Sequence, residues 1–349
     1  MDCDYCYVYH GQDQTWRDMP FRMEAEVAAT LIDQVKQLYL NQHTKPHVVF
    51  HGGEPLLYGI NRLALLVKQF VDEIPDIQLS IQTNGTIYNT SLESLLLYYR
   101  DNLSYSVSVD GWQFENDRHR LGRRHQSVFP AIEKNLLRAR SANVLDNILM
   151  VVDIENDPAR IFEFMCATGA QSYNLLLQDG DHVLLPRGKG SFEDEATGYW
   201  LWELFKLYVS GDHEFRIKLF DDIVTSLLKL LRNIKSPSVT YSLATVTIDT
   251  NGEIKQSDTY RINADKADRL AGTTIRQTSI QEAQQDDHHI MRLKEIETLC
   301  DACTQCRYLD VCGGGYPNHR SRNGDFLNPS IYCNDYKYLF GKTEELLCS

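Results

Sequence analysis

His47-Val48-Val49-Phe50-His51-Gly52-Gly53-Glu54-Pro55 reads as a short buried strand that runs out into two permissive glycines and a carboxylate. Alone, such a stretch describes a tight strand-to-helix turn. Its neighbours make it one unit of a series. Upstream, Val27, Leu31, Val35 and Leu38 fall at helical spacing within residues 24–39; downstream, Leu63, Leu66, Val67 and Phe70 do the same. The alternation continues with strands over 77–81, 104–109, 148–152 and 172–177, separated by helices over 91–100, 131–140 and 159–168. Strands alternating with helices of this length predict parallel βαβ units. Ligands gather at the carboxyl ends of such strands, which here carry Gly52-Gly53-Glu54, Thr83-Asn84-Gly85 and Ser108-Val109-Asp110-Gly111.

Past this run, residues 179–190 are polar, with Gly and Pro, and read as a connection. Two helices follow, over 197–209 and 219–231. The first carries Trp200, Trp202, Phe205 and Tyr208, a packing stripe rather than a cofactor site. Residues 242–256 read as a hairpin turning on Thr250-Asn251-Gly252, because Asn-Gly supplies positive φ angles. Around Asp286, Asp287, His288 and His289 the chain is hydrophilic, and both histidines are expected at the surface rather than as ligands. The predicted division is 1–178, 179–240 and 241–349.

Cysteine spacing supplies the chemistry. Cys3-x2-Cys6 alone is equally a zinc knuckle, a redox pair or two plain thiols. Cys303-x2-Cys306-x5-Cys312, followed by Gly313-Gly314-Gly315 and then Cys333, is more specific: four thiolates on a loop-rich segment suit zinc or an iron–sulfur cluster. Cys300 reads as a bystander to that set, and Cys166 and Cys348 as plain thiols. With 349 residues, 43% apolar and 24% charged, the chain has room for one large soluble domain and a smaller one. A net charge of −13 argues against a general nucleic-acid binder. The basic run Arg118-His119-Arg120-Leu121-Gly122-Arg123-Arg124-His125 reads as a solvated loop, with reception of an acidic peptide as the sharper alternative. No apolar run approaches the roughly 18 residues of a membrane span, and no signal peptide is visible at the start. Clustered CxxC units point to metal binding in a reducing compartment, the cytoplasm.

Taken together, Cys3-Asp4-Tyr5-Cys6, the Gly-Gly-Glu strand end and the C-terminal cysteines resemble the radical S-adenosylmethionine (SAM) enzymes that carry a SPASM-type domain. The resemblance implies an α/β fold: a partial (β/α)6 barrel followed by a smaller, loop-rich SPASM-like iron–sulfur domain. Cys3 and Cys6 match the second half of the family's CxxxCxxC signature. Its first cysteine, and the first barrel strand, would precede Met1, so the resemblance implies a missing N-terminal segment. It further implies a SAM-binding 4Fe–4S cluster on Cys3, Cys6 and one more thiolate, with Gly52, Gly53 and Glu54 at the amino group of SAM. Asn84, Ser108 and Asp110 would lie near its ribose and carboxylate, and Arg120 would offer a bidentate guanidinium.

At the C-terminal end the chain departs from the seven-cysteine pattern of the anaerobic sulfatase-maturating enzymes. Tyr316 and Ser257 stand where that pattern has cysteines, so one auxiliary 4Fe–4S cluster is expected, on Cys303, Cys306, Cys312 and Cys333. A narrower resemblance, carried by Tyr7-Val8-Tyr9, by Ile248 to Asp258 and by the stretch from Cys312 to Cys333, is to the cyclophane-forming peptide maturases. Those enzymes join an aromatic ring carbon to the β-carbon of a residue two positions further along a ribosomally made precursor peptide. The implied partners are that peptide and an electron donor such as a flavodoxin or ferredoxin, with no nucleic acid and no membrane. Asp258 matches the aspartate that looks like the proton acceptor in the sulfatase-type pattern; capping its own turn is the plainer alternative. The competing functions are a thioether crosslink, formylglycine formation, or a non-catalytic iron–sulfur or zinc protein.

Overall fold

The computed structural model describes residues 1–42, 45–234, 245–264 and 266–349. A two-residue strand, β1 (Asp2–Cys3), opens the chain. It is followed by β2 (His47–Phe50), β3 (Gln78–Thr83), β4 (Leu103–Ser108), β5 (Arg120–Leu121), β6 (Asn147–Val151), β7 (Ser172–Leu176) and β8 (Arg216–Ile217). All of these except β1 and β5 form one parallel sheet in the order β2-β3-β4-β6-β7-β8, a six-stranded partial barrel. Helices Ala25–Gln42, Ile60–Glu73, Thr90–Tyr98, Phe129–Ser141 and Pro158–Thr168 occupy the places that the hydrophobic periodicity predicts. Local chemistry sets their ends. The last of them starts on the Asp157 carboxylate, which accepts from the Ala159 amide at 2.9 Å, and stops at Gly169 with φ +69°.

Leu79, Ile81, Tyr105, Val107, Ile148 and Tyr173 point into a continuous apolar interior. Two expectations about the sheet change. The strand β2 is not buried: it is the sheet's edge, and Val49 is 39% exposed. The sixth strand, β8, pairs with β7 through Ser172↔Arg216 and Tyr173↔Ile217; two residues between helices are too few to show an alternating pattern.

Helices Ala196–Ser210 and Lys218–Leu231 pack into the same interior through Trp200, Leu204, Phe205 and Phe220, so the aromatic stripe is packing. The final helix, Cys333–Cys348, lies against Ala196–Ser210 at Gly198, where an added Cβ would meet the Asp335 carbonyl oxygen at 2.4 Å. Asp335 accepts from the Gly198 amide at 2.9 Å and from Lys189 Nζ at 2.6 Å, a buried ion pair that anchors this helix.

In the C-terminal third, β9 (Thr247–Ile248) and β10 (Glu253–Lys255) form the expected antiparallel hairpin around Gly252, φ +85°. The predicted start of that hairpin at 242–244 and the boundary at 240/241 lie outside the described residues. A third strand, β11 (Arg269–Thr274), pairs with β10. Val27 of the first long helix packs with Ile254, Leu270 and Ile280 and seats this sheet on the barrel. His289 is a correction: it is 3% exposed, its Nδ1 3.0 Å from Gln256 Nε2, on the buried face of helix Asp287–Glu297. Among the described residues no helix is long and apolar enough to cross a membrane.

Candidate active site

The loop bearing Cys3 and Cys6 is pinned by antiparallel pairing of β1 with β5, which sets Cys3 opposite Arg120. Cys6 occupies the N-cap position of the one-turn helix Tyr7–His10, and its carbonyl takes the Tyr9 and His10 amides. Burial pushes its thiol up, while the Tyr9 and Val8 amides bonding toward the sulfur pull the other way. Burial likewise raises Cys3, against the pull of Arg120. Between the two cysteines, Tyr5 donates its hydroxyl to Asp110 and accepts from Arg120 Nη1 at 2.8 Å. Asp110 is buried, and its other carboxylate oxygen takes the Val151 amide at 3.0 Å. Arg120 is 6% exposed, and its Nε has no hydrogen-bond partner, a spare donor beside the cysteines. The basic run is therefore not one solvated loop. Arg118 pairs with Asp153 and Glu155, His119 is buried between Asp4 and Asp153, and only residues 123–125 are exposed.

The strand ends meet on Glu54. Its Oε1 accepts from the Leu56 amide at 3.0 Å and Thr83 Oγ1 at 2.7 Å, and its Oε2 from the Asn84 amide at 2.8 Å. One carboxylate thus fixes the β2 and β3 loops to each other. At Gly53 an added Cβ would fall 1.9 Å from the Tyr9 hydroxyl, so the glycine lets the Tyr9 side chain of the cysteine loop approach closely here. The neighbouring Gly52 sits at φ +106°. Asn84 turns its side-chain oxygen onto Thr86, and Ser108 ends β4, half-buried.

Asp258 joins this group from the other end of the chain. It begins the short helix Asp258–Ile262, yet its carboxylate does not cap it. Oδ2 accepts from the Tyr7 hydroxyl at 2.8 Å and lies 2.8 Å from His51 Nε2, and those two partners are 3.2 Å apart. Arg261, in the same short helix, secures the segment: it bonds Asp268 at 2.6 Å and Asp249 at 3.0 Å, and its carbonyl takes the Asp13 amide of the cysteine loop. Burial alone would raise the Asp258 carboxyl; the hydrogen bonds of His51 and Tyr7 and the His51 charge outweigh it and bring it to about 2. For His51, burial lowers the imidazole but the Asp258 carboxylate raises it by more. Sequence reasoning gives Tyr7 and His51 no role of their own. Their meeting with Asp258 spans 251 and 207 residues, a distance over which spacing carries no signal.

Cys303, Cys306, Cys312 and Cys333 line one small cavity of about 30 Å³. Among the described residues no group of three or more metal-ligating side chains is placed to hold a single metal ion. Burial pushes Cys303 and Cys312 each to about 12; the thiols of Cys300 and Cys333 add to it at Cys303, and those of Cys333 and Cys306 at Cys312. The Cys300 thiol acts on Cys303, but Cys300 does not line the cavity. Gly313, Gly314 and Gly315 take φ of +62°, +88° and +79° in succession, which wraps the backbone around the cavity. Cys166 and Cys348 are exposed and apart from it. A larger open groove lined by Asn156, Tyr199, Trp200 and Tyr338 contains none of the candidate residues.

Residues 1–165 match the sequence model of the Radical SAM superfamily. The serine-type anaerobic sulfatase-maturating enzyme of Bacteroides thetaiotaomicron is 25% identical over 347 residues, 93% of this chain and 81% of that one. Among solved structures, native anSMEcpe with bound AdoMet and the Cp18Cys peptide superposes with a TM-score of 0.80 at 19% identity, over 100% of this chain and 94% of that one. Streptococcus suis SuiB bound to the precursor peptide SuiA superposes with a TM-score of 0.62 at 15% identity, over 94% and 72%. These superpositions describe a shared fold.

Proposed function

We propose that this chain, whose first 165 residues form a radical SAM domain, is an enzyme that crosslinks a ribosomally made peptide. The bond formed is that of a three-residue cyclophane, from an aromatic ring carbon to a side-chain β-carbon. The observation that carries the reading is the meeting of Asp258 with Tyr7 and His51, which puts an ionised carboxylate beside the cysteine loop and the strand ends. SAM on a 4Fe–4S cluster supplies the hydrogen-abstracting radical. Cys3 and Cys6 offer two thiolates to that cluster, and the spare Nε of Arg120 fits a carboxylate ligand such as that of SAM. Glu54 orders the loops that would line the cofactor. Asp258 takes the proton that the aromatic ring must shed to regain aromaticity, a role open to a carboxylate that is ionised and within hydrogen-bond reach, while the electron lost with it would pass to the auxiliary cluster.

Four cysteines lining one cavity would hold a single auxiliary iron–sulfur cluster, as the resemblance of their spacing implies. Partners of this reading are a precursor peptide and a reductant of the flavodoxin or ferredoxin class. Formylglycine formation is the second reading, favoured by the sulfatase-maturating relative aligned over nearly the whole chain. The test is anaerobic reconstitution, in a form of the protein that supplies the third thiolate of the SAM-binding cluster, with the short peptide encoded beside the chain's own gene. The expected product has lost two hydrogens, resists fragmentation across three residues and does not react with a hydrazide. A hydrazide-reactive aldehyde would replace the first reading with the second, and absence of 5′-deoxyadenosine would remove both. Asp258→Asn should keep 5′-deoxyadenosine formation and lose the product; normal product would remove Asp258 from the reaction.

A further inference from the structure

We propose that His51 is the proton exit of this site, the positioning residue through which Asp258 discharges to water. The inference rests on the reading of Asp258 as proton acceptor, and holds for either product chemistry, since both oxidations release a proton from the peptide. Three observations carry it. Both hydrogen bonds found on Asp258 fall on Oδ2, from Tyr7 and His51 Nε2 at 2.8 Å each, which leaves Oδ1 to the substrate. Exposure rises along the pair: the Asp258 side chain is 15% exposed and that of His51 34%, so the imidazole is the member that reaches solvent. The charges around the pair include Asp179 and Cys6, which act on Tyr7. His51 faces Asp258 and Tyr7 and feels Arg261, which is itself held by Asp268 and Asp249.

The exchange balances. At rest the pair holds one proton, on the imidazolium, opposite an ionised carboxylate. A proton from the peptide lands on Asp258, and the pair holds two. His51 no longer faces a negative charge, so its affinity for its proton falls and it releases one to water; the pair returns to one. Tyr7 donates to the carboxylate throughout and fixes its orientation. A buried acid without such an outlet would keep its proton between turnovers and act once.

The experiment uses the reconstituted holoenzyme with the same synthetic precursor peptide, and three variants. His51→Gln keeps a donor to Asp258 but cannot titrate. It should form 5′-deoxyadenosine at the wild-type rate while multiple-turnover crosslinking falls at least tenfold, and added imidazole should restore crosslinking in proportion to its concentration. His51→Asn, with a shorter reach, should behave alike. Independently of activity, an NMR titration without peptide should find the His51 imidazole above the ordinary value of about 6.5 in the wild type, and lower in Asp258→Asn. Wild-type crosslinking by His51→Gln, an imidazole insensitive to Asp258→Asn, or no rescue by imidazole would overturn the proposal. Were Asp258→Asn itself to crosslink normally, the acceptor reading would fall first, and that outcome is separate from a failure confined to His51.

Discussion

The two cysteine regions of this chain differ in what surrounds the sulfur. Cys3 and Cys6 lie half-buried at the strand ends, among a buried arginine with a spare donor, a buried aspartate and the Asp258–His51–Tyr7 group. Cys303, Cys306, Cys312 and Cys333 line a cavity walled by Leu309, Tyr336 and Phe340, where glycines press against Leu299 and Ser330. Polar groups with unused hydrogen-bonding capacity can recognise a ligand that comes and goes. Apolar side chains around a site limit the access of water to a bound group. Under the proposed function, the first region would exchange cofactor and substrate and the second would hold a resident group.

That division is most exposed to test at Cys312. Cys312→Ser should take roughly half of the iron from a protein carrying two 4Fe–4S clusters and abolish crosslinking, yet leave SAM cleavage at the first region. Iron and sulfide analysis beside a 5′-deoxyadenosine assay checks this. If SAM cleavage fell in step with the iron, the two regions would be one functional unit and the contrast would go.

Permanence also needs an anchor, and Lys189–Asp335 provides it, with side chains 2% and 0% exposed. Lys189→Met leaves the Asp335 carboxylate buried beside Gly198 without its cation. Removing one partner of a buried pair costs about 3–5 kcal/mol, so a change of that size is expected in chemical denaturation. Lys189→Met combined with Asp335→Leu should recover much of the loss, because two apolar groups leave no charge behind. Recovery would assign the cost to the orphaned carboxylate; no cost in the single variant would mean that packing alone holds the helix.

How much of this was legible in the chain depends on the range of the interaction. The sheet was, because Val48, Leu79, Val107 and Ile148 each sit in a run whose period shows within a dozen residues. The strand β8 was not, since two residues have no period, and neither was β11, whose Arg269 and Gly272 break the apolar pattern. Charge misled in both directions. Arg118, His119 and Arg120 look solvated in sequence but two of them are buried by Asp4, Asp153 and Tyr5, and His289 is buried by Gln256. Residues named by resemblance lie where the strand ends and the cavity gather them, yet Tyr7 and His51 gained a partner only when the hairpin folded back over the barrel.

The smallest expected effect lies in the first region and follows from its titration. The Asp258 carboxyl is held at about 2 against an ordinary 3.8, by His51 and Tyr7 acting over the cost of burial. A depressed carboxylate contributes stability that is full above its unfolded value and is lost as pH falls through the folded one. The gap between those two values corresponds to about 2 kcal/mol, present at about pH 5 and gone near pH 2. His51 has the opposite sign: its raised imidazole contributes fully below about 6.5 and loses that contribution as pH climbs through its folded value. The pair is therefore at full strength from about pH 4 to about pH 6.5. Unfolding free energies of the wild type and Asp258→Asn should differ by a constant amount across that window and converge at either end. Leu339→Ala, at a fully buried apolar position of the C-terminal helix, should cost about 2–5 kcal/mol with no such dependence on pH. A pH-independent difference for Asp258→Asn would mean that the carboxylate gains nothing from its neighbours' charge, and the first region would then be as inert to its solvent as the second.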